Sequence, residues 1–168
     1  MKKMLSILLI SSSLLAISPS AFADSAEPAT AQPSGTITPY VSGLGDTRET
    51  AITLIPNQEY SLYIDKAQDV DWYKWTNNTG TGRYIYGAVW NQGNENSHQL
   101  ASIVQYNQKR ETTMLYAEPA IAGQTSGASK MMNLYVPDGG TVYFRINANK
   151  FVATEQYKFQ FIVYQPES

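Results

Sequence analysis

Apolar and polar residues in this chain alternate in short runs and rarely recur at helical spacing. Tyr60, Leu62 and Ile64 alternate with Ser61 and Tyr63. Val70 to Thr76 is a second alternating run, closed by the turn sequence NNTGTG. Tyr84 to Trp90 is a third, and Leu100 to Tyr106 a fourth. NQKRE then turns the chain into TTMLYA. A loop rich in small residues, EPAIAGQTSGASK, leads to Met131–Val136. PDGG joins that run to Thr141–Asn147, which reads by composition as a hairpin. The last run, Gln156 to Tyr164, sets Tyr157, Phe159, Phe161 and Val163 against Lys158 and Gln160.

These runs predict about eight or nine short strands and no helix, hence an all-β fold of two packed antiparallel sheets, a sandwich or jelly roll. Strands that alternate this cleanly have one wet face and one buried face.

The first residues follow a different pattern. Lys2 and Lys3 precede the apolar runs MLSILLI and LLAI, Pro19 breaks them, and Ala21-Phe22-Ala23 fits a signal peptidase site. Residues 1–23 therefore read as a secretory signal peptide, and the protein as secreted and extracellular. Residues 24–44, which begin DSAEPATAQPSG, read as a flexible segment, and 45–168 as a single domain. No later segment is apolar enough to cross a bilayer, so no membrane contact is expected after cleavage.

Charge and composition narrow the function. The whole chain carries a formal charge of −2, and loss of Lys2 and Lys3 makes it more acidic. That argues against nucleic-acid binding, which needs a basic surface. There is no cysteine, so neither a disulfide nor a thiol nucleophile is available. The one histidine, His98, follows the polar stretch NENS and reads as a surface residue. Without a GxSxG segment or a second histidine, Ser-His-Asp and HExxH chemistry have no support. A carboxylate-pair hydrolase leaves no linear motif and stays as a minor alternative.

One cluster stands out. Asp65, Asp69 and Asp71 lie in IDKAQDVD, followed at once by Trp72, Tyr73 and Trp75. Hard oxygen ligands point to calcium before any transition metal. The spacing is not that of an EF-hand, since the central glycine is missing and Thr76 stands where the bidentate glutamate would be. A solvated turn whose aspartates accept backbone N–H bonds fits the same letters. On a strand, Asp71, Tyr73 and Trp75 share one face and Val70, Trp72 and Lys74 the other, which places Tyr73 and Trp75 inward. The chain holds 12 tyrosines and 3 tryptophans. Trp72, Tyr84, Tyr86 and Trp90 are the candidates for an exposed, ligand-binding aromatic face, which suits sugars or extended peptides.

Asp69-x-Asp71-Trp72-Tyr73-x-Trp75 resembles the D-x-D-[WY]-Y-x-[FW] signature of the bacterial pre-peptidase C-terminal domain, a family related to clostridial collagen-binding modules. Glu49-Thr50-Ala51 resembles its opening E-T-A step. TVYFRI, from Thr141 to Ile146, resembles its penultimate strand, and Tyr157-x-Phe159-x-Phe161 its closing strand. The match runs from about residue 45 to 165. The resemblance implies a jelly-roll β-sandwich and a non-catalytic module that binds an extracellular protein or polysaccharide. It also implies calcium ligands at Asp46, Asp69 and Asp71, although VSGLG before Asp46 lacks the family's acidic pair. A second expectation is a secreted partner, chaperone or inhibitor, of a separately encoded peptidase.

Overall fold

The computed structural model describes residues 44–93, 97–124, 127–153 and 155–165. The expected signal peptide, and the N-terminal segment up to residue 43, lie outside the described residues. Among the described residues ten strands follow in order: β1 (Ile52–Thr53), β2 (Gln58–Tyr63), β3 (Val70–Thr76), β4 (Arg83–Asn91), β5 (Ser97–Asn107), β6 (Arg110–Glu111), β7 (Leu115–Tyr116), β8 (Ala128–Val136), β9 (Thr141–Lys150) and β10 (Gln156–Tyr164). The first sheet has the order β2-β10-β4-β8. The second has the order β1-β3-β9-β5-β6, with β7 also paired to β5. Among the described residues there is no helix long and apolar enough to cross a membrane.

The expected jelly-roll type β-sandwich is the fold, with two differences. β1 pairs parallel to β3, Ile52 opposite Tyr73, so the second sheet is not wholly antiparallel. The strands beyond the expected runs are the two-residue pieces β1 and β6, too short to show a period, while β7 falls within the expected run TTMLYA.

Each long strand passes to the opposite sheet from the one before it. That corrects the reading of PDGG. The turn does tighten as its composition suggests: the Gly140 N–H reaches Pro137 O at 3.0 Å, and Gly139 takes φ 73°, where glycine is favoured. It nevertheless joins β8 of the first sheet to β9 of the second, and makes no hairpin. Asn77 fixes it there. Asn77 accepts from the Gly139 N–H at 2.7 Å and donates to Gly140 O at 2.8 Å through its backbone. Its side-chain amide donates to Thr81 O at 2.8 Å and Val136 O at 2.9 Å.

The core lies between the inward faces and is aromatic. Tyr73 packs on Phe159 with ring centroids 5.0 Å apart, Phe144 on Phe159 at 5.3 Å, and Trp75 on Phe161 at 5.7 Å. Each pair joins a β3 or β9 ring to a β10 ring, so the contacts hold sheet to sheet. Alternation on β3 and β10 puts these rings inside.

Candidate functional site

Three chain segments meet at one end of β3. The first is the turn before it. Asp69 N–H donates to Lys66 O at 2.9 Å, and the Asp69 carboxylate accepts the N–H groups of Asp65 at 3.1 Å and Val70 at 3.0 Å. The aspartate closes the turn on itself and is only 6% exposed.

The second is the start of β3. Period two turns Asp71 to the same side as Tyr73 and Trp75, and it is only 5% exposed. A carboxylate so placed needs a donor. The Tyr157 hydroxyl, from β10, donates to Asp71 Oδ2. Since the one proton of Tyr157 is used there, the Tyr73 hydroxyl 2.5 Å away donates to Tyr157 in turn. The Asp71 pKa stands raised at about 7, with burial the largest cause. The Tyr157 bond pulls it down, and the charges of Asp69, Asp46 and Asp65 push it up further. Burial likewise raises both buried tyrosines well above their ordinary value.

The third segment is the loop from Leu44 to Ala51. Gly45 O accepts the Trp72 N–H at 2.7 Å, and Gly45 takes φ 91°. A Cβ there would lie 3.0 Å from Trp72 O and 3.2 Å from Ile52, so both the conformation and the space call for glycine. Two residues beyond Asp46, Arg48 lies over the Tyr143 ring at 4.2 Å and pairs with Glu111 at 2.5 Å. The loop carrying Asp46 is thereby pinned to β9 and β6.

One carboxylate oxygen each from Asp46, Asp69 and Asp71 lies within 4.8 Å of the others. Calcium takes oxygen ligands at about 2.3–2.6 Å, so any two ligands of one ion lie within roughly 5 Å. The donor set fits a hard cation, with the remaining positions left to carbonyls or water.

The aromatic candidates do not form one group. Trp72 points out from the second sheet, opposite Arg145. Tyr84, Tyr86 and Trp90 point out from β4 in the first sheet. All four are half-buried, a correction to the expectation of exposed rings. In the first sheet Tyr84 is flanked in register by Tyr164 of β10 and Tyr135 of β8. Their ring centroids are 6.4 and 5.4 Å from that of Tyr84. Asn133 sits at a β-bulge with φ 56° and clamps the row. Its amide oxygen accepts the Tyr164 hydroxyl at 2.5 Å, and its N–H donates back at 3.1 Å. Tyr135 and Tyr164 were not among the sequence candidates. Their alternation was visible, but their register against Tyr84 was not.

His98 is a second correction. It is fully buried on β5, its ring 5.1 Å from that of Tyr157 and its Nδ1 2.7 Å from Asn91 Oδ1. Burial lowers its pKa to about 4. The imidazole is therefore a neutral core group.

No family model matches the sequence. No curated protein matches it either. Among solved structures, the chain is similar to the pre-peptidase C-terminal domain of a collagenase from Bacillus anthracis. That similarity has 13% identity and a TM-score of 0.41, and covers 66% of this chain and 93% of the other.

Proposed function

We propose that this chain is an exported, non-catalytic β-sandwich module of the pre-peptidase C-terminal type. It binds an extracellular protein or polysaccharide surface through the outer face of the first sheet. The observation that carries the binding reading is the row Tyr164–Tyr84–Tyr135 across three neighbouring strands. Rings held side by side on a sheet offer apolar area and hydroxyl groups at little entropic cost. The non-catalytic reading is supported by His98, whose ring is enclosed in the core and has no path to a substrate. Family type is supported by the D-x-D-W-Y residues, with Tyr73 and Trp75 inside and both aspartates at the strand's start.

Asp46, Asp69 and Asp71 are the calcium ligands in this reading. A bound cation would supply the positive charge that three converging carboxylates lack. Asp71 would then ionise without the cost of an unpaired buried charge.

Retention on insoluble collagen, chitin and peptidoglycan, in calcium-containing buffer, tests the function. The reading predicts retention on at least one. Passage of the folded protein through all three would contradict it.

A further inference from the structure

A cleft of about 370 Å³ opens at the far end of β5, lined by Gln105, Tyr106, Asn107, Gln108, Asp138 and Thr141 among others. Its size is at the lower end of the range for small-ligand sites, about 300–1,000 Å³. We propose that this cleft is a binding site for one or a few units of a neutral saccharide, separate from the tyrosine row on the first sheet.

The turns that form both walls are held by hydrogen bonds before any ligand arrives. One wall is the β8–β9 turn, whose Gly139 and Gly140 are bonded to Asn77. There Asp138 Oδ1 accepts the Gly80 N–H at 2.8 Å, and the Thr141 hydroxyl lies 2.8 Å from that of Thr76. The other wall is the β5–β6 hairpin, where Asn107 Oδ1 accepts the Lys109 N–H at 2.9 Å. Turns held in this way reduce the ordering cost of binding.

The lining selects the chemistry. Gln105, Gln108 and the Tyr106 hydroxyl make no side-chain hydrogen bond to another described residue. Two amides supply both donors and acceptors, and the second Asp138 oxygen adds an acceptor. The lining includes no cation, which disfavours phosphate or carboxylate ligands. Tyr106, 42% exposed, gives one ring face for the C–H face of a pyranose. A peptide could pair with the amides, but the lining residues include no Leu, Ile, Val or Met to receive its apolar side chains.

Cellotetraose and the tetramer of N-acetylglucosamine are the probes, titrated into the full chain and followed by calorimetry. At least one should bind. Tyr106→Ala should weaken that binding about tenfold or more, as truncation of an anchoring ring does. Gln105→Ala should weaken it less, and both variants should keep the wild-type melting temperature to within a few degrees. The inference is overturned if neither probe binds at about 10 mM, or if Tyr106→Ala leaves the affinity unchanged. A Tyr84→Ala/Tyr135→Ala variant separates the two sites. Loss of probe binding there, but not in Tyr106→Ala, would overturn the cleft and support the sheet face. The reverse pattern supports the cleft whatever becomes of the sheet-face reading.

Discussion

The tyrosines inside the sandwich and those outside it do different work. Tyr60, Tyr73 and Tyr157 are enclosed, and each hydroxyl is bonded: Tyr60 accepts the Ile55 N–H at 2.7 Å, and Tyr73 and Tyr157 form the chain that ends on Asp71. Tyr84, Tyr135 and Tyr164 sit on the outer face, and only the Tyr164 hydroxyl is tied to a neighbour in the fold. Buried hydroxyls must be satisfied by the protein, whereas outer ones keep water as a partner. Removing an inner hydroxyl therefore acts on stability, and removing an outer ring acts on binding.

The largest effect is expected at His98, whose ring packs on Tyr157. Its folded pKa of about 4 lies below the ordinary 6.5. The unfolded chain takes up the proton first, so this contribution is present above pH 6.5 and is lost as pH falls through 4. The loss is on the order of 3 kcal/mol. Asp71 has the opposite sign. Its folded pKa of about 7 is raised, so its contribution is present below about pH 4 and is lost as pH rises through 7. Denaturant melts of wild type and His98→Gln without metal, at pH 7 and pH 4, isolate the histidine. The gap between the two proteins should shift by that amount in favour of the variant at pH 4; a gap that stays constant would show that the ring is not kept neutral.

Calcium comes next. An ion that binds only the folded chain stabilises it by about 2.7 kcal/mol at a hundredfold excess over its dissociation constant. The melting temperature should rise with calcium and fall back with chelator. Asp69→Ala/Asp71→Ala should show no rise, and a wild-type melt indifferent to calcium would remove the metal site.

Tyr157→Phe leaves Asp71 without its donor and Tyr73 without its acceptor. It should cost about 1–3 kcal/mol in a metal-free melt. A variant as stable as wild type would break the contrast from the inner side. Tyr135→Ala is the smallest case. Tyr135 is 47% exposed, so the stability loss should stay below about 1 kcal/mol.

Much of this was readable one strand at a time. Val70–Thr76 and Gln156–Tyr164 alternate so regularly that their limits and inward residues were clear, Tyr73 and Trp75 included. What failed was knowledge of partners. PDGG has hairpin chemistry, but the strands it joins pack in opposite sheets, and turn residues do not encode that choice. His98 follows polar residues, yet its place at the start of β5 turns it inward onto Tyr157. Asp69 and Asp71 were evident as a pair. The donor to Asp71 lies 86 positions away, where no local pattern could mark it. Tyr135 and Tyr164 join Tyr84 only through strand register, which a single sequence leaves open.

The most direct test is the binding isotherm of Tyr84→Ala/Tyr135→Ala on whichever insoluble matrix retains the wild type, with Tyr157→Phe beside it at a temperature where both are folded. The outer variant should lose affinity about tenfold or more, and the inner one should keep wild-type affinity. Wild-type affinity in the outer variant would contradict the sheet-face reading.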